Sequence, residues 1–480
     1  MRINLGLSLS FLVVASQTRT VVGQTPGTFT AIGNMTAARF SHTATVLQDG
    51  RVLIAGGSDG LEALASAELY DPSTGKFTGA ANMTAARSGH TATLLPNGTV
   101  LIAGGDNSAT PGSSAELYDP SNGKFTSTGG MIMDRAGHTA TLLDDGRVLI
   151  AAGGQQCCSG GVFSGELYDP STGAFTATGT PHASAYGITT ATLLADGRVL
   201  LALEPEVEAE LYDPRTATFS KTSPRTPWIQ GSAALLMNGT VLLAGGNDDP
   251  GDSNLAEIFD PSAGTFTQTG NLTAFRADDP ATLLPDGTVL IAGSNGDGGL
   301  TLASAELYNP ATGTFTHTGD MTVDRGLHTA TLLNNGKVLI AGGIHYVAGQ
   351  GWPPLSGADL YTPLSAIPAP SLFSLSGDGA GQGAIWHSIS GNIASASNPA
   401  IAGEALSMYT NNMMDGAVIP PQVIVGGQLA EILYFGAAPG YPGYSQVNFV
   451  EPKGVAPGPA VPVRLTYIGR PSNEVTIGAQ

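Results

Sequence analysis

The chain has 480 residues, of which 12% are charged, about half the usual share of roughly 25% in soluble proteins. Lys and Arg number 19 against 38 Asp and Glu, so the formal net charge is -19. This balance argues against nucleic-acid binding, because phosphate recognition needs clustered Lys and Arg. An apolar share of 42% together with 66 glycines predicts a folded chain that is rich in tight turns.

Residues 1–23 have the pattern of an export signal. Arg2 supplies a positive charge, residues 5–16 form an apolar stretch, and residues 21–23 form a small-residue cleavage site before Gln24. A buried strand is the alternative interpretation. No other segment approaches the ~20 apolar residues of a membrane helix. The sequence therefore predicts a secreted protein, extracellular or periplasmic, without a membrane span.

One motif recurs seven times after this segment. A unit begins His-Thr-Ala-Thr-Leu-Leu, turns at Asp-Gly or Asn-Gly and continues as Val-Leu-Ile-Ala-Gly-Gly; a variable loop then leads to Ala-Glu-Leu-Tyr-Asp-Pro and Gly-x-Phe-Thr. The turn glycines, separated by 42 to 51 residues, are Gly50, Gly98, Gly146, Gly197, Gly239, Gly287 and Gly336. This period lies in the range of β-propeller repeats.

Each unit predicts four short strands. Asp-Gly and Asn-Gly pairs between apolar runs are strong hairpin signals, so they join the first strand to the second. The second strand is apolar on both faces and needs cover on both, which stacked propeller blades supply. Glu-Leu-Tyr marks the third strand and Gly-x-Phe-Thr the fourth.

The two ends of the repeat array predict how the ring closes. Residues 27–30 form a fourth strand with no preceding three, whereas the last unit ends at Pro363 after three strands. Together the two fragments make one blade, and closing the ring removes open sheet edges. The sequence therefore predicts an all-β, seven-bladed propeller over residues 24–365, closed by the N-terminal strand.

The Gly-Gly doublets and the aromatic residues that follow them carry a resemblance to a known family. The doublets are Gly56-Gly57, Gly104-Gly105, Gly153-Gly154, Gly245-Gly246 and Gly342-Gly343. Phe occupies the place where many kelch units have Trp, at Phe77, Phe125, Phe175, Phe219, Phe266 and Phe315. The array over residues 27–363 resembles the kelch repeat, and most of all the bacterial kelch proteins and the propeller of galactose oxidase.

A second, smaller domain follows. Residues 366–383 are rich in Pro, Gly and Ser and predict a linker, after which short β-type runs over residues 384–480 predict a small β-sandwich. Runs such as Ile432-Leu-Tyr and Gln446-Val-Asn-Phe resemble the Solibacter-type Ig-like C-terminal domain of secreted bacterial proteins. That resemblance implies no chemistry.

Polar residues repeat from blade to blade: Arg precedes the first strand, His begins it and Glu opens the third. A ring of metal-binding His and Glu is one interpretation. A hydrogen-bonded network that staples the blades is the other, and recurrence in most blades favours it, because a single axial site needs asymmetry. The residues of the predicted network are Arg39, His42, Glu68, Arg87, His90, Glu116, Arg135, His138, Glu166, Arg325 and His328.

Strand order places the variable loops and the connections between blades on one face of the ring, where binding sites usually lie. The candidate ligand-binding residues in these loops are His182, Tyr186, Trp228, Asp278, Asp279, His345, Tyr346 and Trp352. Aromatic rings can stack on sugars and carboxylates can bond hydroxyl groups, while loop packing or neutral drift is the alternative. The only cysteines are the adjacent Cys157 and Cys158 in a loop of the same face, which could close only a small, strained and reducible ring. Redox chemistry or a ligand platform is one interpretation of this pair, and a static loop staple or two free thiols is the other.

The resemblance to galactose oxidase implies a copper site built from a Tyr cross-linked to a Cys, an adjacent Tyr-His pair and a His from the C-terminal domain. Here His345-Tyr346 has the reverse order, neither cysteine matches the cross-link position, and His387 is the only His of the C-terminal domain. No other catalytic motif stands out. We therefore expect no cofactor and no catalytic residue, and a copper radical oxidase of alcohols or aldehydes is the alternative. The expected function is that of a secreted, monomeric, non-enzymatic module that binds an extracellular glycan or protein.

Overall fold

The chain folds into β-strands joined by turns and loops. The computed structural model describes residues 27–106, 112–154, 164–182, 187–204, 208–226, 231–246, 254–277, 279–294, 300–414 and 416–480. Over these ranges every regular element is a strand, as expected for an all-β fold. None of the described segments forms a helix of the length and apolarity needed to cross a membrane.

Twenty-eight strands form seven blades of four. Blade 1 consists of β2 (Thr43–Val46), β3 (Val52–Ala55), β4 (Ala67–Asp71) and β5 (Lys76–Gly79). Blade 2 consists of β6 (Thr91–Leu94), β7 (Val100–Ala103), β8 (Ala115–Asp119) and β9 (Lys124–Ser127). Blade 3 consists of β10 (Thr139–Leu142), β11 (Val148–Ala151), β12 (Gly165–Asp169) and β13 (Ala174–Ala177). Blade 4 consists of β14 (Gly187–Leu193), β15 (Val199–Glu204), β16 (Glu208–Asp213) and β17 (Thr218–Pro224). Blade 5 consists of β18 (Ser232–Leu235), β19 (Val241–Ala244), β20 (Ala256–Asp260) and β21 (Thr265–Gln268). Blade 6 consists of β22 (Ala281–Leu283), β23 (Val289–Ala292), β24 (Ala305–Asn309) and β25 (Thr314–His317). Blade 7 consists of β26 (Thr329–Leu332), β27 (Val338–Ala341), β28 (Ala358–Thr362) and β1 (Thr28–Ile32).

The predicted seven-bladed ring and its closure by the N-terminal strand are confirmed. In blade 7, β1 runs antiparallel to β28, with Thr28 opposite Thr362 and Ile32 opposite Ala358. Each first strand also contacts the first strands of both neighbouring blades, from β2 around the axis to β26 and back to β2. The innermost strands therefore form an unbroken ring.

The core of the propeller lies between the blades. Along β3, Val52 and Ile54 pack with residues of blade 7, whereas Leu53 and Ala55 pack with residues of blade 2. An equivalent apolar cluster occupies each of the seven junctions. This explains why the second strands are apolar on both faces: successive side chains point to opposite faces, and both faces are covered.

The C-terminal part of the chain forms two sheets around one core. Its strands are β29 (Ile385–His387), β30 (Ala405–Thr410), β31 (Gln422–Val425), β32 (Gln428–Ala430), β33 (Ile432–Ala437), β34 (Ser445–Val450), β35 (Gly458–Tyr467), β36 (Arg470–Pro471) and β37 (Val475–Ala479). One sheet has the order β29-β30-β34-β33, the other β32-β31-β35-β36 with β37 also paired to β35. Leu406 and Phe449 of the first sheet share a core with Val463 and Ile477 of the second. Leu372, within the segment predicted as a linker, is buried in this same core.

The β domain docks on one face of the ring, which we call the turn face because it carries the Asp-Gly and Asn-Gly turns. Arg464 Nη1 donates to Gln48 O at 2.9 Å, and the backbone N–H of Val418 donates to Met237 O at 2.8 Å. The backbone N–H of Ala369 donates to the carbonyl oxygen of Asn334 at 2.6 Å. The opposite face, called the loop face, carries the loops between second and third strands and is left open by these contacts.

Candidate functional site

A β-hairpin of blade 7, residues 344–354, stands on the loop face; we call it the aromatic hairpin. Ile344 bridges Pro354, Val347 bridges Gly351, and the N–H of His345 donates to Pro353 O at 3.2 Å. This register places residues 346 and 352 opposite each other on one face of the hairpin.

The aromatic hairpin presents two rings to solvent. The ring centroids of Tyr346 and Trp352 lie 5.9 Å apart with an interplanar angle of 52°, and the two residues are 39% and 49% exposed. Tyr and Trp combine an apolar face with a polar atom, so an exposed pair can contact a ligand by stacking and by hydrogen bonding. Both residues are candidates from the sequence, and the structure brings them together.

The aromatic hairpin is tied to blade 6. The backbone N–H of Tyr346 donates to Thr301 Oγ1 at 2.9 Å, and the Thr301 hydroxyl donates to the carboxylate of Asp324. Thr301 is 9% exposed, so this chain of bonds is largely shielded from water. Sequence reasoning missed Thr301 because it lies in a variable loop. It missed Asp324 because the residue before the repeated Arg differs from blade to blade.

The other candidates on the loop face have different surroundings. His182 is exposed, and its Nδ1 lies 3.4 Å from Glu210 Oε2. Asp279 is only 5% exposed, so its carboxylate is not presented to solvent. His345 is half-buried within the aromatic hairpin. The remaining candidates lie outside the described residues, as do the export segment and both cysteines: Tyr186, Trp228, Asp278, Cys157 and Cys158.

Near the ring axis, the loop face has a cavity of about 500 Å³ over blades 1 to 3. The backbone N–H of Gly89 donates to Ser41 O at 3.1 Å, and that of Gly137 donates to Gly89 O at 2.8 Å. These bonds link the connections of successive blades around the axis. Gly, Ser and Ala form much of the cavity wall, so it offers mainly backbone groups and hydroxyls.

The Arg and Glu residues of the predicted network form buried ion pairs within blades. Arg39 Nη2 lies 3.0 Å from Glu68 Oε1, and Arg39 Nη1 also donates to the backbone oxygens of Gly56 and Ser66. The same pairing joins Arg87 to Glu116, Arg135 to Glu166 and Arg276 to Glu306. Removing one partner of such a pair costs about 3–5 kcal/mol, because a buried charge is left uncompensated.

Blade 7 has an Asp where these blades have Glu, and this Asp forms the equivalent buried ion pair. Arg325 Nη2 lies 3.2 Å from Asp359 Oδ2, and the N–H of Thr322 donates to the same carboxylate oxygen at 3.0 Å. Sequence reasoning missed Asp359. The signal was available, since Ala-Asp-Leu-Tyr over residues 358–361 matches the Ala-Glu-Leu-Tyr of the other units.

The histidines of the predicted network lie between blades. His90 Nε2 lies 3.0 Å from Thr43 Oγ1 of the preceding blade, and equivalent bonds join His138 to Thr91 and His42 to Thr329. Burial lowers the pKa of these rings to about 3, so they are neutral at ordinary pH. A neutral ring that bonds a hydroxyl and packs between sheets acts as a structural contact.

The Gly-Gly doublets make room for these histidines. Gly56 has a φ of +61°, and a Cβ at this position would lie 2.5 Å from Arg87 O and 2.7 Å from His90 Cε1. Both the left-handed backbone and the close approach of the next blade require a residue without a side chain. The doublet is therefore a packing element of the blade junction.

Comparisons with known proteins agree with this architecture. Residues 39–84 match the family model of the Kelch motif. A solved structure of a fungal alcohol oxidase of the AA5 family, in complex with copper, aligns with a TM-score of 0.63 and 17% identity, over 95% of this chain and 99% of that chain. No curated protein matches the sequence.

The chain is an all-β, seven-bladed propeller that matches the Kelch motif in one blade. The motif match covers blade 1, and the fold likeness extends over the propeller and the β domain together. At 17% identity the likeness to the oxidase shows the fold alone, so the chemistry must be judged from this chain's own residues.

The described residues of this propeller do not fit a copper centre. Across the part of the chain that the structure describes, no three His, Cys, Asp or Glu side chains gather so as to hold a metal ion. His387, the only His of the β domain, has Nδ1 at 2.6 Å from Glu404 Oε1 and Nε2 at 3.0 Å from Asn398 O, so both nitrogens are occupied within that domain. The tyrosines of the third strands are buried against Phe, as in the pair Tyr70 and Phe77 at 4.9 Å.

Proposed function

We propose that this kelch propeller is a secreted binding module whose loop face takes up an extracellular glycan. The observation that carries the proposal is the exposed pair Tyr346 and Trp352 on the aromatic hairpin. Large aromatic side chains left in water are unfavourable unless a ligand or partner covers them, and scattered single residues would need no explanation. The export pattern of residues 1–23 supports an extracellular ligand.

We favour a sugar over a flat protein surface as the ligand, because the planes of the two rings are tilted by 52° and hydrogen bonds hold the hairpin that carries them. The hairpin bonds and the tie to Thr301 hold Tyr346 in place before a ligand arrives, which lowers the entropy lost on binding. The apolar face of a pyranose ring can lie against Trp352 while its hydroxyls reach the Tyr346 hydroxyl.

Affinity electrophoresis against a panel of soluble plant and microbial polysaccharides tests the proposal. We expect at least one polysaccharide to retard the protein, and Trp352→Ala to weaken that binding at least tenfold. Tyr441→Ala is the matched control, since Tyr441 is 57% exposed and contacts another aromatic ring on the β domain. Retardation that survives in Trp352→Ala, or is lost equally in the control, would contradict the proposal. Absence of retardation by every polysaccharide would contradict it as well.

A copper radical alcohol oxidase is the second candidate function. Its support is the fold likeness to the fungal copper oxidase over 95% of this chain, which suits an oxidase at least as well as a binding module. The test is elemental analysis after copper loading and dialysis, followed by peroxide measurement with primary alcohols. One retained copper per chain together with peroxide release would replace the binding proposal with this one.

A further inference from the structure

A cleft of about 1000 Å³ opens between the turn face of the propeller and the β domain. On the propeller side it is bounded by turns of blades 3 and 4 that include Asp144 and Asp196. On the other side it is bounded by residues 418–422 and 429–435 of the β domain. It lies on the opposite side of the ring from the aromatic hairpin.

Two sheet edges meet in this cleft. β32 is the edge of one sheet of the β domain and β33 is the edge of the other, with Glu431 between them. In the part of the chain that the structure describes, no strand pairs with the outer backbone groups of β33. The open side of the sandwich therefore faces the cleft.

β33 carries little of the protection that edge strands usually have. Natural edges are blunted by Lys, Pro, bulges or a covering segment, because a bare edge can pair with another chain. β33 has a bulge between Ile432 and Tyr434, but Leu433 and Tyr434 are 52% and 43% exposed. An exposed apolar edge beside a cleft is a place for strand addition.

The cleft has an excess of negative charge. Its charged lining residues are Asp144, Asp196, Glu431 and Arg215, of which Asp196 is already paired with Arg198 at 2.6 Å. Burial, followed by the charge of Asp145, raises the pKa of the Asp144 carboxyl, while Arg215 opposes this shift. A cationic group beside Asp144 and Glu431 would offset their negative charge.

We propose that the cleft binds an extended, basic segment of a partner protein, which adds as a strand to β33. Backbone hydrogen bonds to the edge would supply affinity, alternate apolar side chains would cover Leu433 and Tyr434, and Lys or Arg would face Asp144 and Glu431. A second copy of this chain is disfavoured as the occupant, because each copy has a net charge of -19 and presents the same carboxylates.

The probe is a fluorescein-labelled peptide of five Lys-Val repeats, measured by fluorescence anisotropy with the full chain at physiological salt. A second peptide has the same sequence with every other backbone nitrogen methylated, which keeps the charge and removes the N–H groups of one edge. Leu433→Lys is the test variant. Ile389→Lys is the matched control, because Ile389 is 95% exposed on the same domain and the change in charge is identical.

We expect the unmethylated peptide to bind, the methylated peptide and Leu433→Lys to weaken binding at least tenfold, and Ile389→Lys to stay within twofold of the wild type. Equal binding of both peptides, or equal loss in both variants, would show general charge attraction and overturn the proposal. Failure of the unmethylated peptide to bind would overturn it too, as would a wild-type dimer in sedimentation that Leu433→Lys dissociates. Polysaccharide retardation of Leu433→Lys should match the wild type, which separates this site from the proposed function.

Discussion

Substitution of Gly56 by alanine tests whether the Gly-Gly doublet is a contact between blades or a local turn requirement. Gly75 provides a matched comparison, because its φ of +68° is close to the +61° of Gly56. A Cβ on Gly75 would have no atom within 4 Å, whereas a Cβ on Gly56 would lie 2.5 Å from Arg87 O in the next blade. The two variants therefore share the backbone strain and differ in the contact.

The expected magnitudes follow from these distances. A left-handed backbone costs an L-residue about 1–2 kcal/mol, so Gly75→Ala should lose roughly that amount of stability. Gly56→Ala should lose a further 1–3 kcal/mol or so, because the carbonyl of Arg87 and the ring of His90 must both move. Urea unfolding of the full chain, followed by circular dichroism, gives both losses. Equal losses within about 0.5 kcal/mol would refute the assignment of the doublet to the blade junction.

Two further substitutions test buried polar groups. Glu451 is 2% exposed, and burial together with the charge of Glu404 raises the pKa of its carboxyl to about 7. The folded-state pKa of this carboxyl exceeds its unfolded value of about 4.5. The stability that the protonated Glu451 contributes is therefore complete below about pH 4.5 and is lost as pH rises through 7. Glu451→Gln should flatten this loss of about 3 kcal/mol in calorimetric scans from pH 5 to 9. A variant that keeps the wild-type pH dependence would contradict this. In blade 6, Pro280 stands where blades 1, 2 and 7 have the Thr that bonds the His of the next blade, and His328 Nε2 has no hydrogen-bond partner among the described residues. Pro280→Thr should therefore stabilise the propeller by about 1 kcal/mol in urea titration. An unchanged or lowered midpoint would refute the inference that a Thr at this position bonds the His of the next blade.

The architecture of the propeller could be predicted because its sequence motif recurs seven times. The Asp-Gly spacing gave the blade count, and the unmatched fragments at residues 27–30 and 358–363 gave the closure that β1 and β28 show. The same kinds of residue pack at every junction between blades, so the motif of one blade predicts the packing of the others. Asp359 was missed because it departs from the repeated Glu by one methylene group while making the same contact with Arg325.

The candidate site could be predicted only in part. The sequence singled out Tyr346 and Trp352 as aromatic residues of a long loop, but their cross-strand pairing depends on bridges between residues that have no counterpart in other blades. The tie through Thr301 and the docking of the β domain depend likewise on surfaces that occur once. Such contacts follow from three-dimensional complementarity, which a period in the sequence does not encode.

The divided seventh blade has a consequence for how the chain reaches its native state. Six blades form from contiguous sequence, whereas β1 must wait until β28, about 330 residues later, has left the ribosome. Pairings between such distant segments slow folding, because a large loop must close before the contact is gained. A circular permutant that begins just after β1, with β1 placed behind β28, would make every blade local. It should refold faster than the natural order while keeping the same ring.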